Sequence, residues 1–543
     1  VCAGDKILLD LYNNLPSSAV TLHWHGLTLG PSFTVPRANP TPYMDGTPGV
    51  TQCPIPPGSG FRYSFEATDP GTHFWHAQTG LERGDGVFGP IVVHQPADQD
   101  PMLSIPEHIF VVNDWFHGST QLKYVLKQHS GEEVRPQSLL INGQGRLKHD
   151  GSASKVPYYN FMVEKNKRYR LRIINAASTN CPVTISVESH DLILLSADGS
   201  AVNPVNASSV LIHPGERYDA MFSAEQESGD EGKTFWISVA GGHDCQGLQQ
   251  YATLQYLPTN ITAVPIPTIS PESNPPQTAE KAGMNVFTGS CSTTGQRCVS
   301  GLRSSTELPQ ALKSTRANLT FYLSFARRYI HNENIYSLLF YGINDVPADK
   351  RVATPQINNL SFRGATTPLL VNHRPLKSEN CSSEGVRRGH CTVDFCECLH
   401  VIQAPVGATV DLVLIGEDST ASQPVHLHGY KFWVLSHVES SQVPEITLPA
   451  DVNYTLPEGM SRERVMRLDE EGNLVRYLQN PVIKDTIAVP AGGYTIVRLA
   501  AENRGFWVLE SQVLFDSQAG QKLILQVGTP EGLPKAPRDF PTC

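Results

Sequence analysis

Short segments in which hydrophobic and polar residues alternate recur along the whole chain, and clusters of Pro, Gly and other turn-forming residues separate them. Alternation with a period of two is typical of β-strands that bury one face, because successive side chains of a strand point to opposite sides. The pattern predicts strands at 6–12, 20–24, 61–65, 109–115, 168–175, 192–196, 251–256 and 319–325. The chain is therefore expected to be all-β.

The 543 residues of the chain exceed what one hydrophobic core supports, so several domains are expected in tandem. We predict a first sandwich at 1–97, a second at 98–257, and a third at 314–543 that ends in a Pro-rich tail. Between the last two, the segment 258–313 has many prolines among Ser, Thr and Asn, a composition that resists packing and indicates a connector. Cys291 and Cys298 could staple this connector, and Cys543 could tie back the tail.

Charged residues make up 17% of the chain, and its formal net charge is −10. Because phosphate neutralisation needs clustered Lys and Arg, the absence of a long basic run argues against a nucleic-acid-binding role. No apolar run reaches the roughly 18 residues that a membrane helix needs, so no membrane span is expected. Val1 opens into a strand-like segment without an apolar leader, and the chain is expected to be a processed or trimmed product.

Eleven cysteines and six Asn-x-Ser/Thr sequons are spread along the sequence. Disulfides and N-linked glycans are both typical of an oxidising secretory route, so we expect a secreted, extracellular glycoprotein. Cys391, Cys396 and Cys398 lie close to Cys381 and are expected to form a local disulfide knot, with a zinc site as the alternative. The odd number of cysteines leaves one thiol over. The candidate glycosylation sites are Asn206, Asn260, Asn318, Asn359, Asn380 and Asn453.

Two His-x-His pairs and one further histidine are the strongest chemical signal. His23 and His25 flank Trp24, and His426 and His428 flank Leu427, while His76 follows in another strand-like segment. On a strand, this spacing places both rings of a pair on one face, so two such pairs can converge on a metal cluster. Imidazole suits copper, zinc and iron alike. For any single pair, the simpler interpretation is a hydrogen-bonded histidine in a protein core.

Longer motifs surround these histidines and continue through the rest of the chain. They are His23-Trp-His-Gly, Met44-Asp-Gly, Val50-Thr-Gln-Cys-Pro-Ile, Gly71-Thr-His-Phe-Trp-His, Gly86-Val-Phe-Gly, Ser138-Leu-Leu-Ile-Asn-Gly, Gly215-Glu-Arg-Tyr-Asp, Val425-His-Leu-His-Gly-Tyr and Lys484-Asp-Thr-Ile-Ala-Val-Pro. With these motifs the chain resembles the multicopper oxidases and, among them, the insect laccase-like branch. The resemblance implies three tandem cupredoxin-like Greek-key sandwich domains. It also implies a trinuclear copper site between the first and third domains and a type 1 copper in the third.

Carried over position by position, the resemblance implies which copper ligands this chain keeps. The type 2 ligands correspond to His23 and His426, and three of the six type 3 ligands correspond to His25, His76 and His428. Other residues stand at the remaining positions. These lost ligand positions are Gln78, Glu510 and Gln512 in the type 3 set and Gln423, Ser511 and Asp516 in the type 1 set, with Gln521 at the axial position.

The missing cysteine has the largest chemical consequence, since a type 1 copper takes electrons from its substrate through a covalent thiolate bond. Ser511 cannot supply that bond, because its hydroxyl is hard and stays protonated near neutral pH. The implied His-Cys-His bridge, which carries electrons on to the trinuclear site, is replaced at all three positions. We therefore expect a pseudoenzyme that has no type 1 copper and no laccase activity.

The implied trinuclear site is damaged but keeps five histidines and gains the carboxylate of Glu510, so a residual site for one copper or zinc ion is an alternative. Such a site would make the chain a metal-binding protein or a metalloenzyme. In the competing interpretation, the histidines are packed core residues that Gln78 and Gln512 satisfy through amide hydrogen bonds. Asp45 matches the acidic proton-relay residue of the family, but without dioxygen reduction we expect a turn role in Met44-Asp-Gly.

The resemblance also implies disulfides between Cys53 and Cys543 and between Cys181 and Cys245. Our leading hypothesis is a binding or structural role outside the cell, with an unknown extracellular protein or small ligand as the partner. A conventional phenol oxidase conflicts with the residues at the type 1 positions. Because a fold does not determine a function, the physiological role is not predicted.

Overall fold

The computed structural model describes residues 1–31, 38–95, 102, 104–130, 134–149, 152–153, 156–225, 233–257, 298–331, 335, 351–383, 391, 395–418, 420–444, 459–541 and 543. Strands dominate these residues, and the sheets fall into three consecutive stretches of the chain. The predicted all-β class is therefore confirmed. The limits of the domains stay predictions.

The first stretch contains β1 (Lys6–Tyr12), β2 (Leu22–His25), β3 (Gly60–Glu66), β4 (Gly71–Ala77) and β5 (Phe88–Val93). β1 pairs with β3 in one antiparallel sheet, and β2, β4 and β5 form a second sheet in that order. In β1, exposed and half-buried residues alternate strictly, as expected for a strand with one solvated face. All four residues of β2 are buried, which places this strand inside the protein.

Thirteen strands are described in the second stretch. They are β6 (Glu107–Trp115), β7 (Ser138–Ile141), β8 (Lys148–His149), β9 (Ser152–Ala153), β10 (Tyr159–Glu164), β11 (Arg168–Asn175), β12 (Val183–Val187), β13 (Leu192–Ala197), β14 (Ser200–Ala207), β15 (Val210–Ile212), β16 (Arg217–Ser223), β17 (Thr234–Gly241) and β18 (Gln249–Leu257). One sheet has the order β10-β18-β17-β12-β15, the other has the order β14-β13-β16-β11-β6-β7, and β8 pairs with β9. In both large sheets, strands that are far apart in sequence lie side by side. The chain therefore passes back and forth between the two sheets.

Another thirteen strands lie in the described part of the third stretch. They are β19 (Leu319–His331), β20 (Arg351–Ile357), β21 (Ser361–Phe362), β22 (Glu397–Cys398), β23 (Val401–Ala404), β24 (Thr409–Gly416), β25 (Gln423–Leu427), β26 (Phe432–Val438), β27 (Ile483–Lys484), β28 (Thr486–Val489), β29 (Tyr494–Ala500), β30 (Gly505–Ser511) and β31 (Lys522–Val527). Its sheets have the orders β20-β19-β24-β29-β26-β27 and β23-β31-β30-β25-β28, and β21 pairs with β22. Every residue of β24, β25 and β30 is buried, so these strands are covered on both faces.

Helices are short and lie in connections between strands. The described α-helices are α1 (Thr120–Ser130), α2 (Pro375–Ser378), α3 (Arg462–Glu470) and α4 (Leu514–Gln518), and the 3-10 turns are Pro42–Met44, His243–Cys245, Val299–Gly301, Gln310–Leu312, Ser440–Gln442 and Pro530–Gly532. α3 begins after Ser461, whose hydroxyl accepts a hydrogen bond from the backbone N–H of Arg464 and so caps the helix. Within the described part of the chain, no helix is long and apolar enough to cross a membrane.

Most of the strands predicted from the alternation of hydrophobic and polar residues are present in the structure. The segments 6–12 and 168–175 coincide with β1 and β11. The segment 20–24 begins two residues before β2, and 319–325 covers only the first part of β19. β19 continues because its second half has a new partner: its first half pairs with β24 and its second half with β20.

The predicted connector is better packed than its composition suggests. Its residues 258–297, with Cys291, lie outside the described residues. The described part, 298–313, forms isolated bridges to both neighbouring domains, Val202 to Ser304 and Arg303 to Pro481. Its apolar side chains enter the protein core, and those of Leu302, Leu308 and Leu312 are buried. For this part, the expectation of an unpacked segment is wrong, because spaced leucines bury enough surface to offset the polar composition.

Four disulfides between described cysteines tie down loops and the tail. The bonds Cys53–Cys543 and Cys181–Cys245 confirm the two pairings that the resemblance implied. The local knot is confirmed as well, and its bonds are Cys381–Cys398 and Cys391–Cys396. Because these sulfurs are consumed in disulfides, the alternative of a zinc site at the knot is wrong. Among the described cysteines, the exposed Cys2 is the free thiol.

Replacing Cys181 and Cys245 together by Ala should destabilise the second domain. The bond closes a loop of 64 residues, and losing it restores chain entropy to the unfolded state, a cost of about 2–4 kcal/mol. We expect a lower midpoint of urea unfolding under non-reducing conditions. The matched control is Cys2→Ser, which removes an exposed free thiol and should leave the midpoint unchanged. Equal midpoints for the two variants would contradict the prediction.

Candidate metal centre

The five histidines singled out from the sequence lie together where the first and third domains meet. β2 carries His23 and His25, and β4 places His76 directly opposite His23. β25 carries His426, and His428 follows immediately after this strand. Each ring of one His-x-His pair stacks on a ring of the other pair. The ring centroids of His23 and His428 are 3.6 Å apart, and those of His25 and His426 are 3.7 Å apart. All five side chains are buried.

The rings of His23 and His426 face each other with their Nε2 atoms 3.3 Å apart. Nδ1 of His23 lies 3.0 Å from the carbonyl oxygen of Asp45, and Nδ1 of His426 lies 2.9 Å from the carbonyl oxygen of Asp485. A ring nitrogen beside a carbonyl oxygen donates its hydrogen, so the Nε2 atom of a neutral ring keeps its lone pair. Two lone pairs therefore point at each other, which is unfavourable unless a cation lies between them.

His25 and His76 form a second pair of the same kind. Nδ1 of His25 lies 3.4 Å from Nε2 of His76. Nε2 of His25 donates to the hydroxyl of Thr486 at 2.8 Å, because that hydroxyl already donates to Asp485. Nδ1 of His76 donates to the carbonyl oxygen of Ala77 at 3.0 Å. The two remaining nitrogens again face each other with their lone pairs.

Both separations suit two ligands of one small metal ion. At metal–nitrogen bonds of about 2.0–2.1 Å and tetrahedral angles, two ligating nitrogens lie about 3.3 Å apart. Burial lowers the pKa of all four rings, and that of His426 to about 4, so they are neutral imidazoles at neutral pH. Neutral imidazoles are good ligands for copper and zinc. The sets of possible ligand atoms within 4.8 Å of one another are His23, His426 and His428; His23, His25 and His76; and His25, His426 and Asp485.

His428 has a different environment from the other four rings. Its Nδ1 lies 2.9 Å from Oδ2 of Asp45, and its Nε2 lies 3.3 Å from Oε1 of Glu510. Burial by itself lowers the pKa of His428, but the two carboxylates outweigh burial and raise it to about 9. Burial raises the pKa of Asp45, but His428 and His23 together hold it far below its ordinary value. The expected turn role of Asp45 is therefore incomplete, since the residue ends the turn Pro42–Met44 and also pairs with two histidines.

Gln78 and Glu510, at two of the positions where the family resemblance implies type 3 ligands, bond to each other. Nε2 of Gln78 donates to Oε1 of Glu510 at 2.6 Å. The other carboxylate oxygen, Oε2, accepts from the hydroxyl of Ser517 at 2.8 Å and lies 3.4 Å from Nζ of Lys522. Burial raises the pKa of Glu510, but Lys522 and His428 hold it well below its ordinary value. The hypothesis that the Gln78 amide satisfies a histidine is wrong, because the charged carboxylate is a stronger acceptor.

Gln512, at a third position where the family resemblance implies a type 3 ligand, bonds to Arg83 rather than to a histidine. Its Oε1 accepts from Nη1 of Arg83 at 2.9 Å, and Nη2 of Arg83 donates to the carbonyl oxygen of Ala177 at 2.7 Å. The expected hydrogen bond from Gln512 to a histidine is therefore wrong as well. The sequence analysis did not identify Arg83 as a residue of the site. The one feature of the sequence that could have identified Arg83 is its positive charge in the turn before the Gly86-Val-Phe-Gly motif.

An ion pair stands at one of the positions where the family resemblance implies a type 1 ligand. Asp516, on α4, accepts from Nη2 of Arg327 at 2.5 Å and from Nε at 3.1 Å through the same Oδ2 atom. Asp418 lies 3.9 Å from the guanidinium. Attraction to Asp516 is the main cause that raises the pKa of Arg327. Sequence reasoning also missed Arg327, whose signal is a charged residue within the largely apolar β19.

The other positions where the resemblance implies type 1 ligands hold buried polar side chains. The hydroxyl of Ser511 accepts from the backbone N–H of Val513 at 3.2 Å. Nε2 of Gln521 reaches the carbonyl oxygen of Gln356 at 3.5 Å, a marginal hydrogen bond. Neither amide atom of Gln423 has a hydrogen-bond partner within the described ranges. These side chains offer hydroxyl and amide groups, which are poor substitutes for the thiolate and imidazoles of a copper site of this type.

A buried ion pair joins all three domains next to the histidines. Arg217 donates to both carboxylate oxygens of Asp485, at 2.6 and 2.5 Å, and its Nε donates to the carbonyl oxygen of Thr72 at 3.1 Å. Asp485 also lies 3.5 Å from Nε2 of His25 and 3.4 Å from Nδ1 of His426. The sequence motifs that begin at Gly215 and Lys484 contain these two residues, but their pairing was not predicted.

The fold and this histidine cluster define a three-domain protein of the cupredoxin-like class. Three sequence models, each described as multicopper oxidase, match residues 1–98, 107–259 and 367–531. Together they cover most of the chain. The chain therefore belongs to the multicopper oxidase family.

Individual relatives are distant but extend over nearly the whole chain. Laccase-1 of Cryptococcus neoformans var. neoformans serotype D is 25% identical over 96% of this chain and 74% of that protein. The L-ascorbate oxidase of Cucurbita pepo var. melopepo is 26% identical over 94% of this chain and 85% of that protein. Among solved structures, the laccase from Botrytis aclada superposes with a TM-score of 0.69 at 20% identity, covering 98% of this chain and 82% of that one. Fet3p, a multicopper oxidase that functions in iron import, superposes with a TM-score of 0.67 at 18% identity, covering 98% and 84%.

Arg217→Met should destabilise the protein strongly, because it leaves the buried carboxylate of Asp485 without its cation. Breaking a buried ion pair by removing one partner costs about 3–5 kcal/mol. The measurement is the free energy of unfolding in urea. The matched control is Arg62→Met, which breaks the exposed pair between Arg62 and Asp10 and should have little effect. A loss no larger than that of the control would contradict the interdomain role of Arg217.

Proposed function

We propose that this protein is a secreted multicopper oxidase homologue that does not act as an oxidase and has a binding or structural role outside the cell. The observation that carries the proposal is the residue set at the positions of the electron-accepting copper. Gln423, Ser511 and Asp516 stand where the family resemblance implies two imidazoles and a thiolate. Without the thiolate, electrons from a substrate have no covalent path to the histidine cluster.

The surroundings of Asp516 support the same conclusion. Even a carboxylate could contribute to a copper site, but both nearby donors of Arg327 bind its Oδ2. A guanidinium is a permanent cation, so it repels a metal ion at this place. Arg327 and Asp516 thus form an internal ion pair in the region where the family resemblance implies a type 1 copper.

Secretion is supported by cysteine use and by the positions of the sequons. Disulfides such as Cys53–Cys543 persist in oxidising compartments and are rare in the cytosol. Asn206, Asn318 and Asn359 are exposed, as glycan acceptors must be, and Asn380 is half-buried. Asn260 and Asn453 lie outside the described residues. The motif resemblance to the insect laccase-like branch suggests an insect source.

The partner in this role would be an extracellular protein or a small ligand. Retention of the complete three-domain scaffold supports a role that needs its shape rather than its oxidase chemistry. The buried contacts between domains, including the pair between Arg217 and Asp485, keep that scaffold rigid without the type 1 copper. Function on this fold depends on local sites, so the identity of the partner needs a binding experiment.

The purified protein, incubated with Cu(II), should consume no measurable oxygen with a phenolic donor and should lack an intense blue absorption band. Both expectations follow from the missing thiolate. The measurements are oxygen uptake with an electrode and a visible absorption spectrum. Oxygen uptake proportional to protein concentration, together with a blue colour, would refute the proposal.

Restoring the ligands supplies the matched positive control. The variant Gln423→His, Ser511→Cys, Asp516→His should gain a blue band only when Arg327→Leu is added, because the guanidinium otherwise repels the copper ion. Gln521 can stay, since an axial amide is tolerated in blue copper sites. A blue band in the triple variant with Arg327 intact would show that the ion pair is no obstacle.

A second candidate function is metal binding at the histidine cluster. The specific observation in its favour is the facing pair of Nε2 atoms in His23 and His426, 3.3 Å apart and each left with a lone pair. His25 and His76 repeat the arrangement at 3.4 Å. A bound copper or zinc ion would relieve both repulsions, and it would supply Lewis acidity or a single redox centre.

Replacing both His23 and His426 by Ala should weaken binding of Cu(II) or Zn(II) by more than about 100-fold, since even changes outside the ligand shell cost 10–100-fold. The measurement is calorimetric titration or competition with a chelating dye. His117→Ala is the matched control, because His117 is an exposed histidine outside the cluster. Unchanged affinity in the double variant would exclude the cluster as a metal site.

A further inference from the structure

A cavity of about 340 Å³ lies where residues of all three domains meet, outside the histidine cluster. Its walls include Asp69 and His94 of the first domain, Arg172 and Ser196 of the second, and Lys431 of the third. Sites for small molecules in proteins usually have volumes of about 300–1,000 Å³. The cavity is therefore large enough to hold a small organic ligand.

Two arginines on one side of this cavity already have carboxylate partners. Arg170 and Arg172 stand two positions apart on β11, so their side chains project from the same face of the sheet. Nη2 of Arg170 donates to Oδ2 of Asp219 at 2.6 Å, and Nε of Arg172 donates to Oε2 of Glu107 at 2.8 Å. With one carboxylate for each guanidinium, this wall carries no net charge. It therefore does not favour an anionic ligand.

Lys431 and Asp69 face each other across a gap in another wall. Nζ of Lys431 lies 3.9 Å from Oδ1 of Asp69, which is too far for a direct hydrogen bond. The other carboxylate oxygen, Oδ2, accepts from the backbone N–H and the hydroxyl of Thr28 at 2.9 and 2.8 Å. A hydroxyl group of a ligand fits such a gap, because it can accept from the ammonium and donate to Oδ1.

The remaining polar groups of the cavity also suit hydroxyls. Oγ of Ser196 and Nδ1 of His94 are buried, and neither has a hydrogen-bond partner among the described residues. Ser200 and Thr306, which also line the cavity, each carry a hydroxyl that both donates and accepts. Because buried polar atoms normally have partners, these groups favour an occupant that forms several hydrogen bonds.

Apolar side chains form the wall between these polar groups. Pro70, Leu195, Val202 and Ile483 are among them. Carbon–hydrogen groups of a ligand gain by packing against such a surface, because both are removed from water. The cavity thus suits a molecule that has hydroxyls along its edge and apolar faces. Sugar rings combine these two properties.

A second cavity, of about 220 Å³, adjoins the first at Lys431 and Asp69, which line both. Tyr430 and Asn503 lie in its wall. Nδ2 of Asn503 donates to two carbonyl oxygens, whereas its buried Oδ1 accepts no hydrogen bond within the described ranges. The second cavity therefore offers an aromatic ring and an amide acceptor, so a ligand of more than one ring can extend past Lys431.

We propose that the two adjoining cavities bind a neutral oligosaccharide. Its hydroxyls bridge Lys431 and Asp69 and reach Ser196 and His94, and its ring faces pack against the apolar walls. The inference rests on the binding role proposed above and names the class of ligand for that role. The paired charges of the arginine wall favour a neutral sugar over an acidic one, and the number of polar groups favours a sugar over a wholly apolar ligand.

The inference is tested by binding of neutral trisaccharides to the whole protein. The probes are cellotriose, maltotriose, mannotriose and triacetylchitotriose, with a sulfated and a uronic-acid trisaccharide for comparison. Calorimetric titration should show saturable binding of at least one neutral probe to one site. Binding of the acidic probes alone, or of no neutral probe, would overturn the inference.

Lys431→Met removes the ammonium but keeps an unbranched side chain of similar length. It should weaken binding of the neutral probe by about 10-fold or more, because a hydrogen bond to a charged group is lost. The matched control is Lys313→Met. Nζ of Lys313 also lies 3.9 Å from a carboxylate, that of Glu307, but it is exposed and lines neither cavity. Equal affinities of the two variants would overturn the inference.

Ala201→Trp tests the cavity without changing a charge. Ala201 is exposed and lines the first cavity, so an indole there should block the site and abolish binding, while the urea midpoint stays unchanged. Asn203→Trp is the control, because Asn203 is exposed on the same strand, β14, and lines neither cavity. Full affinity in Ala201→Trp would show that the sugar binds elsewhere.

A crystal structure of the complex locates the probe directly. Density for the trisaccharide should lie between Nζ of Lys431 and Oδ1 of Asp69. Ordered water alone in both cavities at a saturating concentration of the probe would overturn the inference.

Failure of the inference and failure of the proposed function give different results. Oxygen uptake by the wild-type protein would refute the non-oxidase proposal, whatever the titrations show. Absence of saccharide binding in a protein that consumes no oxygen would refute the inference alone.

Discussion

The interaction on which the rest of the structure depends is the buried ion pair between Arg217 and Asp485. It joins the second and third domains, and the contact of Arg217 with the carbonyl oxygen of Thr72 adds the first domain. A charge pair without access to water is stable only when its hydrogen bonds are complete, so the three domains must meet in one arrangement. The same carboxylate lies beside His25 and His426. The geometry of the histidine cluster is therefore a consequence of how the domains dock.

With the three domains docked in this way, the site divides into regions with different chemistry. Four neutral imidazoles face one another and suit a small metal ion, whereas His428 is held between Asp45 and Glu510. Arg327 neutralises Asp516 where the family resemblance implies a copper that accepts electrons. In both of the latter regions, the buried carboxylates have partners among the side chains of the protein. Such contacts keep buried polar groups satisfied.

Much of the architecture could be predicted from the sequence, because strand alternation and family motifs are local properties. β1 and β11 coincide with predicted segments, and two disulfides follow from the resemblance. The partners of Gln78 and Gln512 could not be predicted. Each amide had several possible acceptors and donors, and the choice of Glu510 and Arg83 depended on side chains more than 400 residues distant in sequence. The packing of the connector was missed for a related reason, since its spaced leucines have no partner until two domains are assembled.

The sequence by itself determined the all-β class and the identities of the five histidines, because residue type and strand period need no knowledge of contacts. Only the tertiary structure decided which histidines face one another with free lone pairs and which one is tied to two carboxylates. The physical reason is that either ring nitrogen of a neutral histidine can carry the hydrogen, and the neighbours of the ring decide which one does. For His428 those neighbours, Asp45 and Glu510, come from distant parts of the chain.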